Sequence, residues 1–305
     1  MPLSTSHLYG ITTWHHLLQF NMATSTGTVT TLDGVSIRYI SAGNTTDPVL
    51  LLIPGWAQTA IQWRKQISHF SAKYRVIAID NRGFGDSDKP EWGYRVTRLA
   101  ADLNDIIIQL DLKNVILCGH SMGCSIIWAL WGTFVSSRPR ISHLILVDES
   151  PCLITHPAWE KDVVNSLGSI FTPSTAFEMG ASLRGAEGRE YAAGFLRSLF
   201  SPSLSEEDFV WLKQQWSKMN LSHAATLLIN HAAEDWRDVI PTITVPTLVV
   251  GGELSVFGVN GAQWIASHIS DSKLEIFKED ESGSHFMFWE NDTKFNEVVE
   301  KFLSN

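Results

Sequence analysis

A serine with the spacing of a catalytic nucleophile lies near the middle of the chain. Residues 119–123 read Gly-His-Ser-Met-Gly, follow an apolar run over 114–118 and lead into a helical pattern over 124–134. In a strand–turn–helix with this spacing, the glycines allow so tight a bend that the serine is pushed out in a strained conformation. The dipole of the following helix favours negative charge at that point. Ser121 is therefore predicted to be a nucleophile.

A histidine close to the C-terminus is the predicted general base. His285 follows the last predicted strand, 274–277, and precedes the closing helix, 293–303. A loop in that place opens at the carboxyl edge of a parallel sheet, where Ser121 is also expected. The histidine also comes last along the chain among the partners of such a serine. His120, beside the serine, is expected to point away from it and to pack in the core.

The third partner is a carboxylate that holds the imidazole in the correct tautomer. Its usual position is the loop after the predicted strand 247–250, but the glycine spacing there leads to Ser255, and no aspartate is present. Asp148 is the preferred candidate because it follows the preceding predicted strand, and both loops open at the same edge of the sheet. Glu253 and Glu149 stay open as alternative acids.

An oxyanion hole is predicted from two backbone N–H groups, those of Trp56 and Met122. Trp56 ends a Pro-Gly-Trp sequence after the apolar run 49–53, where the glycine lets the chain turn towards the serine. Each such donor typically lowers the barrier by ~3 kcal/mol. The chain has 12 tryptophans, several of them near this site, which indicates an apolar or aromatic ligand. The candidates for the pocket walls are Trp56, Trp211, Trp216 and Phe286.

An alternation of strands and helices must position these residues. Continuous apolar runs predict buried parallel strands, helical patterns separate them, and Asp-Gly at 33–34 predicts an antiparallel hairpin before them. The expected fold class is α/β, with a doubly wound, mostly parallel sheet. Residues 151–241 break the alternation with helical patterns and are predicted to be an inserted cap. The expected domains are an N-terminal extension (1–27), a core (28–150 and 242–305) and this cap.

Composition narrows the class of protein. The 305 residues carry a net charge of −9 without a basic cluster, which disfavours binding to nucleic acid or to an anionic membrane surface. We find no secretory signal, no membrane-spanning stretch and no metal-ligand spacing, and the 3 cysteines read as buried free thiols. We therefore expect a cytoplasmic enzyme with a small apolar substrate and no metal or cofactor. The sequence leaves a homodimer open.

Taken together, these motifs resemble those of α/β-hydrolases. The resemblance covers about residues 28–305. It rests on Pro-Gly-Trp at 54–56, the glycine-containing turn at 80–87, the serine turn at 119–123 and Gly-Ser-His at 283–285. The chain is most similar to the branch of serine esterases, lactonases and cofactor-free haloperoxidases. The serine nucleophile excludes the relatives that use aspartate, the epoxide hydrolases and haloalkane dehalogenases.

The resemblance implies a serine hydrolase that cleaves an apolar or aromatic carboxylic ester or lactone through an acyl-enzyme. The chain departs from the family pattern in two places. Pro54 stands where histidine is common before the glycine, and the usual acid after the penultimate strand is missing. Zearalenone-type lactonases place their acid after the earlier strand, as Asp148 would be placed. The alternatives are a carbon–carbon bond hydrolase, a perhydrolase of the haloperoxidase kind, and a receptor-like ligand-binding protein with a vestigial triad.

Overall fold

Eight strands form one sheet in residues 24–304, the part of the chain that the computed structural model describes. In chain order they are β1 (Thr24–Thr30), β2 (Ser36–Ala42), β3 (Val49–Ile53), β4 (Arg75–Ile79), β5 (Val115–His120), β6 (Ile141–Val147), β7 (Thr247–Gly252) and β8 (Ser272–Phe277). Their order across the sheet is β1-β2-β4-β3-β5-β6-β7-β8. The pairs β1–β2 and β2–β4 are antiparallel, and all other neighbours are parallel. The predicted fold class is confirmed.

Helices flank the sheet and follow the strands. They are α1 (Arg64–Phe70), α2 (Val96–Gln109), α3 (Met122–Thr133), α4 (Lys161–Leu167), α5 (Pro173–Arg184), α6 (Gly188–Ser198), α7 (Glu206–Trp216), α8 (Leu221–Ala232), α9 (Asn260–His268), α10 (Met287–Glu290) and α11 (Asp292–Leu303). Every residue of β3 and β5 is buried, which requires cover on both faces of the sheet. Helix α2 packs on α3, and α1 packs on α11. No described helix is long and apolar enough to cross a bilayer.

The opening hairpin starts earlier than the sequence indicates. Strand β1 begins at Thr24, so residues 24–27, which the predicted N-terminal extension includes, pair with β2. This stretch reads Thr-Ser-Thr-Gly and lies at the edge of the sheet, half exposed. It therefore lacks the apolar alternation by which a strand is recognised. Residues 1–23 of the predicted extension lie outside the described residues.

Five helices, α4 to α8, lie between β6 and β7 and occupy the stretch 151–241 predicted as the cap. Ser205 caps α7 by accepting a hydrogen bond from the Asp208 N–H at 3.1 Å, and acidic residues fill the first turn of that helix, as the sequence indicates. Several contacts tie α8 to the core, and two of them are hydrogen bonds to residues after β3 and at the start of α2. The Trp56 indole donates to the Ala224 carbonyl at 2.8 Å, and the Val96 N–H donates to the Asn230 side chain at 2.8 Å. Helix α8 therefore packs against the loop after β3.

Close packing around the serine turn makes Gly123 intolerant of a side chain. An added Cβ there would lie 2.4 Å from the Ile53 carbonyl oxygen. We expect Gly123→Ala to lower the free energy of unfolding by about 3 kcal/mol, the upper end of the usual cost of overpacking, in urea denaturation. Gly194→Ala is the control, because nothing lies within 4 Å of its added Cβ in α6; it should stabilise by about 0.5–1 kcal/mol. A Gly123→Ala protein as stable as wild type would contradict this packing.

Candidate active site

Ser121 lies at the bend between β5 and α3 in a strained backbone conformation. Its φ and ψ angles are 54° and −129°, a region that residues with a side chain rarely adopt and that needs support from the surrounding structure. The support includes its N–H, which donates to the Val147 carbonyl of the neighbouring strand at 2.8 Å. Its hydroxyl has no hydrogen-bond partner among residues 24–304, and Ser121 lines a cavity together with residues of α6, α7 and α8. The predicted nucleophile is thus exposed to the cavity.

His285 lies in the loop between β8 and α10 and lines the same cavity as Ser121. Its Nδ1 nitrogen is 2.5 Å from the Asp148 Oδ2 oxygen. Its Nε2 nitrogen has no hydrogen-bond partner within the described chain. The structure therefore brings together the predicted nucleophile, base and preferred acid.

Asp148 lies immediately after β6, with a φ of 53°. Its N–H donates to the Val250 carbonyl at 2.8 Å, which fixes the backbone between two strands. Burial raises the pKa of its carboxyl group, and hydrogen bonds from His285 and Ser255 oppose that rise. The Ser255 hydroxyl donates to Oδ2 at 2.5 Å. Ser255, the position to which the glycine spacing of this loop leads, therefore holds the carboxylate of the preferred candidate acid.

The two alternative acids face other partners. The Glu253 carboxylate accepts a hydrogen bond from the Glu279 N–H at 2.9 Å, at the exposed side of its loop. The Glu149 carboxylate accepts one from the Ser150 N–H at 2.7 Å and lies 3.2 Å from His231. Within residues 24–304, neither makes a hydrogen bond or an ion pair with His285. Asp148 and Glu149 are adjacent, but neighbouring residues in a loop point their side chains in different directions. Asp148 is the one whose carboxylate faces His285.

His120 is buried in the core, as predicted, and it also makes hydrogen bonds that hold neighbouring loops. Its Nε2–H donates to the His285 backbone carbonyl at 2.7 Å, so it anchors the loop that carries the candidate base. Burial, followed by the nearby His285 ring, lowers the pKa of His120 well below its usual value, and the ring is neutral. Its Nδ1 lies 3.0 Å from the Gln58 side chain, which also binds the Gly55 N–H at 2.9 Å. Neither His120 nor Gln58 belongs to a local sequence motif, so the sequence did not predict these contacts.

The backbone N–H groups of Trp56 and Met122 are available to an incoming oxygen. Met122 is the first residue of α3, so its N–H has no acceptor within the helix. Within the described chain, no acceptor is bonded to either N–H. The loop that carries Trp56 lies against the serine turn, since a Cβ added to Gly55 would be 3.0 Å from the Ser121 Cβ. These are the elements of an oxyanion hole.

The cavity above Ser121 is narrow and mostly apolar. Trp56 and Trp216 both line it and meet edge to face, with ring centroids 5.5 Å apart. Its other apolar walls are Leu153, Ile170, Phe171, Phe195, Leu199, Leu228, Val256 and Phe257, and its polar lining residues are Gln58, Ser121, His231 and His285.

Two of the predicted pocket residues lie elsewhere. Trp211 stacks on Trp289 at 5.1 Å, beneath the Arg64 guanidinium, in a separate surface groove. Trp211 does not line the cavity because it lies five residues before Trp216 on α7 and therefore on a different face of the helix. Phe286 is fully buried and stacks on Phe200 at 4.3 Å behind the His285 loop. The prediction that these two line the pocket is wrong.

Comparison with known proteins places this geometry in a family. The sequence pattern of the alpha/beta hydrolase fold matches residues 48–292, most of the chain. The chain belongs to the α/β-hydrolase family. The predicted resemblance is thereby confirmed, and the protein is a hydrolase of this fold.

Relatives within the α/β-hydrolases differ in what they act on. The chain is 27% identical over 278 residues to 3-oxoadipate enol-lactonase 2 of Acinetobacter baylyi, which covers 90% of this chain and 95% of the relative. It is 35% identical to Epoxide hydrolase 3 of Xenopus tropicalis over 136 residues, which are 44% of this chain and only 35% of that protein. A solved esterase of Exiguobacterium antarcticum matches with a TM-score of 0.82 and 26% identity, over 91% of this chain and 99% of the esterase.

Proposed function

We propose that this α/β-hydrolase is a serine hydrolase that cleaves an apolar or aromatic carboxylic ester or lactone through an acyl-enzyme. The observation that carries the proposal is the meeting of Ser121, His285 and Asp148 at one edge of the sheet. Ser121 and His285 line one cavity, and the buried Asp148 carboxylate lies 2.5 Å from the His285 ring. A nucleophile, a base and an orienting acid in this arrangement are what acyl transfer requires.

The reaction begins when the substrate carbonyl binds above Ser121. His285 Nε2 accepts the serine proton as the Ser121 oxygen attacks, and the Asp148 carboxylate stabilises the imidazolium that forms. The N–H groups of Trp56 and Met122 donate to the oxyanion. His285 then protonates the leaving alcohol, and the acyl-enzyme is hydrolysed by water that the same histidine activates. No hydrogen bond joins Ser121 and His285 within residues 24–304, and the proposed reaction requires this contact to form as substrate binds.

The cavity supports the proposed substrate class. Ten of its 14 lining residues are apolar and include Trp56, Phe195 and Trp216, so an acyl chain or aromatic ring is favoured over a charged group. Two of the similar proteins are named an esterase and an enol-lactonase, which agrees with a substrate that contains an ester or lactone carbonyl. The Asp nucleophile expected of epoxide hydrolases is absent from the serine turn.

A panel of p-nitrophenyl esters with acyl chains of increasing length, together with a fluorophosphonate probe, tests the proposal. We expect kcat/KM to rise about threefold to fourfold per methylene until the cavity is filled, as about 0.8 kcal/mol of apolar burial per methylene implies. The probe should label the peptide that contains Ser121, as identified by mass spectrometry. A folded protein that neither hydrolyses the esters nor reacts with the probe would contradict the proposal. Tight ligand retention in that case would indicate a binding protein.

A further inference from the structure

A half-buried carboxylate that the proposed reaction does not use follows the candidate base closely in the chain. Glu290 is the last residue of α10, and no ion pair joins it to a cation among residues 24–304. Its carboxylate instead accepts three hydrogen bonds. The Ser201 N–H donates to it at 3.0 Å, and the hydroxyls of Ser201 and Ser284 donate to it as well. Both serines are buried, so this carboxylate holds together two segments of the packed interior.

The two segments that Glu290 joins both contact the candidate base. Ser284 immediately precedes His285 in the chain and lies in the same loop. Ser201 belongs to the cap, between α6 and α7. The Leu199 carbonyl, in the same segment of the cap, accepts from the His285 N–H at 3.2 Å. Glu290 is therefore connected to the backbone of His285 along two routes, one through the loop of the base and one through the cap.

The position of this backbone decides whether the His285 ring can act on Ser121. The Asp148 carboxylate binds the ring at Nδ1, but a contact at one ring nitrogen does not by itself fix the distance from Nε2 to the serine. That distance also depends on the loop, which is held at the His285 carbonyl by His120 and at the N–H by Leu199. A displacement of a catalytic group by about 1 Å can cost about 10²-fold in rate. The supports of this loop are therefore part of what proton transfer requires.

We propose that Glu290 is a positioning residue for the general base and sets the place of the His285 ring relative to Ser121. It does so by binding Ser284 of the base loop and Ser201 of the cap with one carboxylate. The inference rests on the proposed function for the role of His285. It makes the base of the core dependent on the cap, which supplies two of the three donors. Since Glu290 does not line the cavity, loss of its acceptors should slow proton transfer without removing a group that binds substrate.

Glutamine and methionine at position 290 separate hydrogen bonding from shape, because both are unbranched and of similar length but only glutamine keeps an acceptor. In Glu290→Gln the amide oxygen can accept from the Ser201 N–H and the Ser284 hydroxyl, which share one carboxylate oxygen. The NH₂ group donates to the Ser201 hydroxyl, whose own proton turns to Ser203, 2.8 Å away. We expect a kcat within about threefold of wild type, as for a substitution that keeps its contacts.

Glu290→Met removes all three acceptors and is expected to lower kcat by about 10-fold to 100-fold on the best p-nitrophenyl ester. KM should stay within about threefold, because the lost support acts in the transition state and not on substrate binding. Steady-state kinetics of the folded variants gives both parameters. The split between kcat and KM, together with the rescue by glutamine, is what a role in stability alone would not produce.

Asp105→Leu is the control for lost stability. Asp105 is a buried carboxylate of α2 that accepts from the Leu32 N–H at 2.9 Å and does not line the cavity. Its replacement removes a buried acceptor, as Glu290→Met does, and should lower the midpoint of urea denaturation. The kcat of the folded control should stay within about twofold of wild type, since the change is remote from the base.

Ser284→Ala tests the route to the base and serves if Glu290→Met does not fold. It should lower kcat by about threefold to tenfold at an unchanged KM, the size of one hydrogen bond that acts in the transition state. Glu290→Met combined with Ser284→Ala should lose no more than about twofold beyond Glu290→Met alone, because both changes remove the same contact. A wild-type kcat in Ser284→Ala, or fully additive losses in the double variant, would contradict the route through Ser284.

The outcomes distinguish this inference from the proposed function. A wild-type kcat in Glu290→Met, an equal loss of kcat in Asp105→Leu, or a loss in Glu290→Gln as large as in Glu290→Met would overturn the role of Glu290. Failure of the wild type to hydrolyse any ester would contradict the proposed function instead.

Proton NMR then decides the role of Glu290 without turnover. The proton between His285 Nδ1 and Asp148 should give a low-field resonance, identified by its absence from His285→Gln. We expect Glu290→Gln to retain this resonance and Glu290→Met to lose it by faster exchange with water, because the loop is no longer held. An unchanged resonance in Glu290→Met would overturn the inference.

Discussion

Replacement of Ser121 by alanine is expected to lower kcat for ester hydrolysis by about 10⁶-fold, the cost of removing the nucleophile from a serine hydrolase. The loss is large because, among residues 24–304, Ser121 is the one hydroxyl-bearing residue that lines the cavity with His285. Fluorophosphonate labelling should disappear together with turnover. Residual activity would reflect only the oxyanion donors and substrate binding. Steady-state kinetics on the best p-nitrophenyl ester, with active-site titration to exclude wild-type contamination, measures the effect.

Ser125→Ala is the matched control for that experiment. Ser125 lies one turn further along α3, is buried, and its hydroxyl has no hydrogen-bond partner within residues 24–304. The same chemical change in the same helix should therefore leave labelling and kcat within about twofold of wild type, as for a substitution that removes no contact. Turnover or labelling that survives in Ser121→Ala would mean that another residue is the nucleophile.

Replacement of Asp148 by asparagine is expected to lower kcat by about 10⁴-fold, as in the serine-protease precedent. Two orientations of the new amide lead to the same result. If its NH₂ group faces His285 Nδ1, the ring proton moves to Nε2, which can no longer accept the proton of Ser121. If its oxygen faces the ring, no negative charge stabilises the imidazolium, and a buried NH₂ group lacks an acceptor. Steady-state kinetics of the folded variant measures the loss.

Glu253→Gln is the control for the assignment of the acid, because its carboxylate lies at the exposed side of the loop and contacts the Glu279 backbone. We expect its kcat to stay within about twofold of wild type, as for most surface substitutions. The opposite pattern, with activity kept in Asp148→Asn and lost in Glu253→Gln, would show that the acid is assigned to the wrong residue.

A second substitution tests the same geometry by restoring activity instead of removing it. The Ser255 hydroxyl and the His285 ring both lie 2.5 Å from Asp148 Oδ2. An aspartate at position 255 thus places a carboxylate next to the same ring, in the position that the family commonly uses. Ser255→Asp added to Asp148→Asn should recover part of the lost kcat. No recovery in a folded double variant would contradict the idea that either strand end can supply the acid.

The fold was readable from the sequence because its signals are local. Buried parallel strands are continuous apolar runs, as in β3 and β5, and the serine turn carries its glycines within five residues. The start of β1 was not readable, since its Thr-Ser-Thr-Gly sequence has no apolar face and its position in the sheet comes from pairing with β2. Pairing between strands is a tertiary contact that a single segment does not record.

In the candidate site, too, some features follow from the local sequence and others depend on the directions of the side chains. The residue types and their order along the chain were sufficient to select Ser121 and His285 as candidates and to bring Asp148, Glu149 and Glu253 into consideration. The sequence could not state which carboxylate turns towards the imidazole, because adjacent residues in a loop point in different directions. Tertiary packing directs Asp148 to His285 and Glu149 to His231.

The sequence by itself determined the α/β class of the protein, its serine turn and the set of groups from which a reaction centre can be built. These follow from periodicity and from motifs of a few residues, which the local chain encodes. Only the tertiary structure decided that Ser255 donates to the Asp148 carboxylate, that Trp211 and Phe286 lie outside the cavity, and that His231 of α8 lines it. Each of these depends on contacts between residues far apart in the chain, and such contacts exist only once the cap has packed on the sheet.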